Sequence, residues 1–371
     1  MRGMRCILPS VILLSLLSPL AAFSSPLNQL QNNHLLVNNF MKDKDGNIYL
    51  IQNNTLWYKS NVFGIAWGKK SSDIVTASID PTDSKIIYVI RTSGGLVEKT
   101  IDGGKEWKKI DNGLPVGRGL IFGNPHNSQE VFLSSQKGLY KSSDKGLSWK
   151  ETAFKESVQQ FLINPRNEKY FYALRRDYAV FFSKDAGNTW NRVDNTLPQI
   201  TVKEKGRVAK KIPIRVEAIA IVNYQKPFLL AFASDSEKNR MRLFKTENNG
   251  ISWTEAKNPE PTTWSIRSIY VDDSAVFLGG HNCIYKSKDG INWEKIDLAK
   301  DGINEAVAGI TKDEGGKSLL LATASGKILH IDDNGNLIGG KEAEDSGDLV
   351  DTEPLYTIPT NNKISATALN D

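Results

Sequence analysis

A short motif, which we call the box, repeats along the whole chain at nearly constant spacing. Its full form is Ser/Thr-x-Asp-x-Gly-x-x-Trp, as in residues 100–107, 142–149 and 183–190. Residues 246–253 carry Asn in place of Asp, and residues 287–293 are one residue shorter. The seven copies, with two weak ones at the ends, begin at Ser60, Thr100, Ser142, Ser183, Thr246, Ser287 and Ile331. Their starts lie 40, 42, 41, 63, 41 and 44 residues apart, which indicates seven similar units and one insertion.

Each unit reads as four short strands separated by turn residues. In the third unit, apolar runs at 120–122 and 131–133 flank an Asn-Pro turn, and runs at 138–141 and 148–150 surround the box. We find no convincing amphipathic helix after the N-terminal segment. One such sheet cannot bury both of its faces, whereas radial stacking of seven sheets can. The chain is therefore predicted to be all-β, with a single seven-bladed β-propeller over residues 30–371.

The box is predicted to form the hairpin between the third and fourth strands of each blade. Its glycine can adopt positive φ, its aspartate can accept hydrogen bonds from turn amides, and its tryptophan is expected to pack the hairpin against its own blade. We interpret the box as structural, because a catalytic acid would occur once in a ring and not once in every blade. The structural residues are Asp102, Gly104, Trp107, Asp144, Gly146, Trp149, Asp185, Gly187, Trp190, Asn248, Gly250, Trp253, Asp289 and Trp293.

The N-terminus has the features of a secretory signal peptide, which we assign to residues 1–24. Arg2 and Arg5 precede a mostly apolar run at 7–20, and small residues follow at 22–24. No later apolar run reaches eighteen residues. We therefore expect a secreted or periplasmic protein with no membrane span after signal cleavage.

The C-terminal region has two distinct parts. Residues 341–354 carry six acids against one lysine and are predicted to form a flexible segment. The tail at 363–369 resembles another first strand, and we expect it to complete a blade and close the ring.

The composition excludes several classes of site. Signal cleavage would remove Cys6 and leave Cys283 alone, so no internal disulfide is expected. The four histidines are not spaced as metal ligands, and we expect no metal and no cofactor. The formal net charge is only +5, which does not indicate a partner that is a nucleic acid. We expect a monomer.

Arginines recur in the loops that should share one face of the propeller. These loops join second to third strands or connect successive blades. Guanidinium groups suit carboxylates, sulfates, phosphates or an acidic protein surface. Alternatively, these arginines are solvated or pair with loop acids such as Asp177 and Asp235. The candidate ligand-binding residues are Arg91, Arg118, Arg175, Arg176, Arg215 and Arg267, together with Trp264, which is equally consistent with a core position.

The 63-residue spacing between the boxes that begin at Ser183 and Thr246 contains a basic insertion at 201–216. This insertion carries six positive charges and one negative charge. It joins the fourth blade to the fifth and should lie on the same face as the arginines. Either it forms a basic edge of that face that binds an acidic partner, or it is a solvated hairpin that has no partner. Its basic residues are Lys203, Lys205, Arg207, Lys210 and Lys211.

Over about residues 35–340, these boxes resemble those of the Asp-box (bacterial neuraminidase repeat) propellers. That class contains sialidases, xyloglucan-degrading glycosidases, sortilin-type receptors and photosystem II assembly factors. The layout of one seven-bladed domain is most similar to the assembly factors, although nothing in the sequence marks photosynthesis. The resemblance implies the fold and does not select the function.

Two functional hypotheses follow. The first is an exported, non-enzymatic scaffold that recognises an acidic protein or glycan on the arginine-rich face. The alternative is a glycoside hydrolase, which needs two carboxylates facing one cleft. The sequence singles out no catalytic pair, and the carboxylates expected on this face are Asp73, Asp177, Asp235 and Glu217. A sialidase is disfavoured, because the nearest match to its Arg-Ile-Pro motif is the Lys-Ile-Pro that begins at Lys211. A sortilin-like ectodomain would have more blades and disulfide-rich modules.

Overall fold

The computed structural model describes most of the chain between residues 34 and 338. The signal peptide, the acidic segment at 341–354 and the C-terminal tail lie outside the described residues, so those assignments stay predictions. The described residues are 34–35, 40–52, 54–60, 68–115, 119–202, 210–223, 227–235, 240–257, 266, 268–272, 274–313, 316–324, 327–332 and 334–338.

Seven antiparallel sheets follow one another along the chain, and we number them as blades one to seven. The first strand, β1 (His34–Leu35), precedes blade one. Blade one contains β2 (Phe40–Lys42), β3 (Ile48–Gln52), β4 (Thr55–Lys59) and β5 (Gly68–Ser72). Blade two contains β6 (Ile74–Ile79), β7 (Ile87–Arg91), β8 (Val97–Thr100) and β9 (Lys108–Lys109). Blade three contains β10 (Leu120–Gly123), β11 (Val131–Ser135), β12 (Gly138–Ser142) and β13 (Lys150–Glu151). Blade four contains β14 (Val158–Ile163), β15 (Phe171–Arg175), β16 (Val180–Ser183) and β17 (Asn191–Arg192).

The insertion forms a separate two-stranded hairpin before the remaining blades. The hairpin strands are β18 (Gln199–Val202) and β19 (Lys210–Pro213). Blade five contains β20 (Arg215–Val222), β21 (Phe228–Asp235), β22 (Arg240–Thr246) and β23 (Thr254–Glu255). Blade six contains β24 (Ser268–Val271), β25 (Val276–Gly279), β26 (Cys283–Ser287) and β27 (Glu294–Asp297). Blade seven contains β28 (Val307–Lys312), β29 (Leu319–Thr323) and β30 (Ile328–Ile331).

The order of strands across each blade is their order in the chain. Strand β1 adds to blade six by pairing antiparallel with β24. In blade seven, an isolated bridge between Ile331 and Leu337 stands where other blades have a fourth strand. Within the described part of the chain, the helical structure is the 3-10 helix Ala299–Asp301. The prediction of an all-β, seven-bladed propeller is therefore confirmed. No helix among the described residues is long and apolar enough to cross a membrane.

The apolar core is distributed over the interfaces between neighbouring blades. Blades one and seven also share such a cluster, in which Phe40 and Leu50 pack with Leu320, Ala322 and Ile328. Side-chain packing thus joins the first and last blades within the described residues. The predicted role of the C-terminal tail in closing the ring is separate from this contact and stays untested.

The box residues make the local hydrogen bonds that their chemistry predicts. In blade two, the Thr100 hydroxyl donates to the Asp102 carboxylate (2.6 Å) and accepts from the Gly104 amide (2.9 Å). The same Asp102 oxygen accepts from the amides of Lys105 and Glu106 at 2.9 and 3.0 Å. The boxes that begin at Ser142, Ser183, Thr246 and Ser287 repeat this pattern. The box is therefore a hydrogen-bonded turn in each of these blades.

The box tryptophans differ from the prediction that they pack against their own blades. The Trp149 indole N–H donates to the carbonyl of Ile110 in blade two at 2.7 Å. Likewise, the Trp253 indole N–H of blade five donates to the carbonyl of Val193, which follows blade four, at 2.9 Å. The physical reason is that the box turn lies directly against the end of the preceding blade. Trp149 and Trp253 therefore each fix their own blade to the preceding one.

Lowering the pH should weaken the hydrogen bonds of the box aspartates and so lower the stability of the fold. Hydrogen bonds from Ser148 and Ser142 lower the pKa of Asp144 to about 2, and those from Thr189 and Ser183 lower the pKa of Asp185 to about 2. An aspartate of the unfolded chain titrates near 3.9, so these carboxylates stabilise the fold above about pH 4. That contribution is lost as the pH falls towards about 2, and it is small because both groups are solvent-exposed.

The test compares urea unfolding of the wild type and Asp144→Asn/Asp185→Asn between about pH 5 and pH 2. Asparagine keeps the acceptor oxygen, as Asn248 does in blade five, but it does not titrate. We expect the free energy of unfolding to depend less on pH in this variant than in the control Glu106→Gln/Glu168→Gln. Identical pH dependence in the two variants would contradict the assignment.

Candidate functional site

The strand directions divide the surface of the propeller into two faces. The loops between second and third strands and the connections between blades lie together on one face, which we call the loop face. The box turns lie on the opposite face, which we call the box face. This division follows from the antiparallel pairing of successive strands in every blade.

Two of the candidate arginines are held by acids of the protein itself. The Arg91 side chain donates to Glu98 at 2.8 and 2.5 Å and to the Ser71 hydroxyl at 2.7 Å. The Arg175 side chain is paired with Asp177 and Glu156. The hydrogen bond that Arg175 donates to Asp177, aided by Glu156, raises the pKa of Arg175 above its ordinary value. These ion pairs stabilise the loops of the loop face. They agree with the alternative interpretation of the sequence, in which the arginines pair with loop acids.

Two other candidates, Arg176 and Arg215, are exposed. Neither has an ion pair with a carboxylate among the described residues. They flank Tyr178, whose ring centroid lies 5.3 Å from the guanidinium carbon of Arg215. Tyr178 has φ of 71°, an uncommon conformation for a bulky side chain, and its amide donates to the Arg175 carbonyl at 2.9 Å. The tight turn after β15 thus carries Arg176, and Arg215 at the start of β20 contacts Tyr178 of the same turn.

The insertion is a regular hairpin whose two strands pair over four residues each. It connects β17 to β20, so its base lies on the loop face. Lys211 is exposed, and the backbone of Lys210 lies in β19. Several predicted residues lie outside the described part of the chain, namely Arg118, Lys203, Lys205, Arg207, Trp264 and Arg267.

Each carboxylate named for the glycosidase alternative has a neighbour in the structure. Asp73 accepts a hydrogen bond from Ser93, and Asp177 is paired with Arg175. Asp235 is 2% exposed, and its carboxylate lies 3.6 Å from the Arg242 guanidinium. Sequence reasoning missed Arg242, because its contacts form only when β22 lies between β21 and β23. Arg242 also donates to both Glu255 oxygens, at 2.8 and 2.6 Å.

Glu217 is the most unusual of these acids. It lies at a β-bulge between Val216 and Ala218, and bulges redirect side chains. Burial raises its pKa, against the opposing effects of Arg215 and of a 2.7 Å hydrogen bond from the Ser234 hydroxyl. Among the described residues, no group of three or more histidine, cysteine or acidic side chains could hold a metal ion.

Comparison with known families matches two propeller models, each over part of the chain. The model described as "Sortilin, neurotensin receptor 3" matches residues 95–220. The DUF6242 beta propeller domain matches residues 215–368. A curated relative, the probable oligoxyloglucan-reducing end-specific xyloglucanase of Neosartorya fischeri, is 27% identical over 158 residues. The match covers 37% of this chain and only 19% of the relative.

Solved structures share the fold at low sequence identity. The GH74 xyloglucanase of Xanthomonas campestris gives a TM-score of 0.60 at 12% identity over 83% of this chain. The match spans 53% of that enzyme, about half of its length. YCF48 bound to D1 peptide gives 0.54 at 14% identity and covers 81% of this chain and 91% of that one. YCF48 from Cyanidioschyzon merolae also gives 0.54, at 14% identity, with 81% and 95% covered. The fold is thus shared with glycosidases and with a peptide-bound propeller.

Proposed function

We propose that this seven-bladed β-propeller is an exported scaffold that binds an acidic protein or glycan on its loop face and does not catalyse a reaction. The observation that carries the proposal is the pair Arg176 and Arg215, which are exposed at the junction of blades four and five and form no ion pair with a carboxylate of the described residues. Their charge is permanent at physiological pH, and each guanidinium can bind a carboxylate through two hydrogen bonds.

The surroundings of these two arginines favour binding of an anion. Arg175 is tied to Asp177 and Glu156, so the turn that presents Arg176 is anchored. The exposed Lys211 of the hairpin adds a further positive charge on the same face. A preorganised cation loses less conformational entropy on binding than a free surface side chain.

The comparisons support a binding role and keep the enzyme alternative in view. A propeller of nearly the same extent has been solved with a bound D1 peptide, which makes peptide recognition a reasonable role for this fold. The partial match to a xyloglucanase is the observation behind the hydrolase alternative. The sequence features of residues 1–24 support export.

Replacing both exposed arginines should weaken capture of an acidic ligand. We expect Arg176→Ala/Arg215→Ala to bind an immobilised deca-glutamate peptide at least about tenfold more weakly, which corresponds to about 1.4 kcal/mol. Added salt should weaken binding of the wild type, because these charges are exposed. Surface plasmon resonance at two salt concentrations measures both effects.

The matched control is Lys105→Ala/Lys288→Ala, which removes two exposed cations from the box face. Equal losses in the two double variants would show attraction by net charge alone and would contradict a loop-face site. Release of sugar from a panel of glycosides by the wild type, abolished in Glu217→Gln, would replace the scaffold proposal with a hydrolase.

A further inference from the structure

At three interfaces, the residue three positions after a box tryptophan lies under the box of the next blade. Following Trp107, Trp190 and Trp293, these residues are Ile110, Val193 and Ile296. A Cβ built on the next box glycine would lie 2.6 Å from the Ile110 side chain, 2.5 Å from Val193 and 2.1 Å from Ile296. A branched apolar side chain therefore fills the space between the box and the preceding blade at three interfaces.

The interface between blades three and four lacks this filling side chain. The residue three positions after Trp149 is Thr152, whose hydroxyl is committed to the Leu139 carbonyl at 2.9 Å. Around Gly187, the next box glycine, the three nearest atoms all belong to Phe171 and Trp190 of blade four itself. A cavity of about 460 Å³ lies at this interface and is lined by Thr152 and Ala153.

The tryptophan at this interface also behaves differently from its equivalents. Trp149 and Trp253 donate to carbonyls of the preceding blade, whereas the Trp190 indole N–H donates to Gly187 of its own box at 3.0 Å. Blade five also has a small residue, Ala256, at the filling position. There, however, Phe228 comes within 2.6 Å of the Cβ position of Gly290 and occupies the space.

The cavity has an apolar floor and a half-exposed aromatic wall. Phe132, Leu139 and Phe171 line it and are each at most 2% exposed, while Trp190 is partly exposed. The volume falls within the range of about 300–1,000 Å³ that is typical of small-molecule sites. A ligand of this cavity must therefore be small and have an apolar surface that packs against the floor.

The charged groups at the rim compensate one another. Lys141 and Lys150 are balanced by Asp144 and Glu151. Lys141 is moreover paired with Glu130, and Glu151 with a neighbouring lysine. Because these charges compensate, the rim favours neither an anionic nor a cationic ligand, whereas the arginines of the loop face favour an anionic one. The rim also carries the polar side chains of Ser143, Ser148 and Asn188, which can both donate and accept hydrogen bonds.

We propose that this cavity binds one sugar ring of a neutral oligosaccharide. A pyranose has an apolar C–H face that can pack on an aromatic ring, and hydroxyl groups on its edge that can both donate and accept hydrogen bonds. The partly exposed Trp190, the apolar floor and the uncharged balance of the rim match those two properties. The site lies beside two boxes, on the opposite face from Arg176 and Arg215, and does not depend on the loop-face proposal.

Titration calorimetry of the full-length protein with cellohexaose, maltohexaose, xylohexaose and mannohexaose tests the proposal. We expect at least one hexasaccharide to bind and to change the tryptophan fluorescence. Thr152→Ile should abolish binding, because it places in blade three the side chain that Ile110 provides in blade two. Thr152→Ser is the matched control, which keeps the hydroxyl and the cavity and should still bind.

A second variant that blocks the cavity keeps the proposal testable if Thr152→Ile does not fold. Ala153 is exposed and lines the cavity, so Ala153→Trp should occlude it without entering the core. Thermal unfolding verifies that each variant is folded. The proposal is overturned if no hexasaccharide binds the wild type, or if a folded Thr152→Ile or Ala153→Trp protein binds as the wild type does. It is also overturned if Arg176→Ala/Arg215→Ala removes binding, since the sugar would then occupy the loop face.

Discussion

Replacing Trp149 with alanine should lower the free energy of unfolding by about 3–5 kcal/mol. The side chain is 6% exposed and packs in one cluster with Tyr88 and Ile110 of blade two and with Ile121 of its own blade. The substitution leaves a cavity between two blades and also leaves the Ile110 carbonyl without the 2.7 Å hydrogen bond from the indole. Urea unfolding followed by circular dichroism gives the difference.

Trp190→Ala is the matched control for this prediction. It removes the equivalent box tryptophan at an interface that already contains a cavity, and its indole bonds within its own box. We expect a smaller loss than for Trp149→Ala. A loss below about 1 kcal/mol for Trp149→Ala would show that the box tryptophan does not hold the blades together. Equal losses for the two would contradict the larger role that we assign to Trp149 in joining its blade to the preceding one.

Replacing Gly250 with alanine should cost about 2–5 kcal/mol of stability. The glycine has φ of 88°, where a Cβ costs about 1–2 kcal/mol. The new Cβ would also lie 2.5 Å from the Val193 Cβ and 2.9 Å from the Val193 carbonyl oxygen. Such overpacking adds about 1–3 kcal/mol, because Val193 follows the last strand of blade four and Gly250 lies in the box turn of blade five, so neither can shift without moving its blade.

Gly302→Ala separates the two contributions. This glycine has φ of 78°, but a Cβ there would meet nothing within 4 Å. We expect it to show only the conformational cost. In a double-mutant cycle, Val193→Gly should relieve part of the loss, because it removes the Val193 Cβ at 2.5 Å and the Cγ2 at 2.9 Å from the new Cβ. If Gly250→Ala is no worse than Gly302→Ala, the box glycine is required for its φ alone.

The blade architecture could be predicted closely from the sequence. The apolar runs of the third unit, at 120–122, 131–133 and 138–141, correspond to β10, β11 and β12 within one or two residues. The box residues also take the hydrogen-bonded roles that their chemistry suggests. Turns and strand alternation depend on neighbours a few residues away, and seven copies of one pattern reinforce each other.

The candidate site was less predictable. Arg91, Arg175, Arg176 and Arg215 look equivalent in the repeat register, yet two are paired with acids and two are exposed. The difference depends on acids such as Glu98 and Glu156, which the strand pairing and blade connections bring to the guanidinium groups. Positions outside the described residues, including Trp264, stay predictions.

The sequence by itself determined the number of blades, the place of each box and the position of the insertion, because these follow from short-range chemistry repeated at a fixed period. Only the tertiary structure decided what each box packs against. The Trp149 indole of one unit bonds to a carbonyl about forty residues earlier in the chain, and Thr152 of blade three lines one cavity with Gly187 of blade four. Contacts between blades join residues from different units, and no local pattern records whether the side chain that meets a box fills the space or leaves it open.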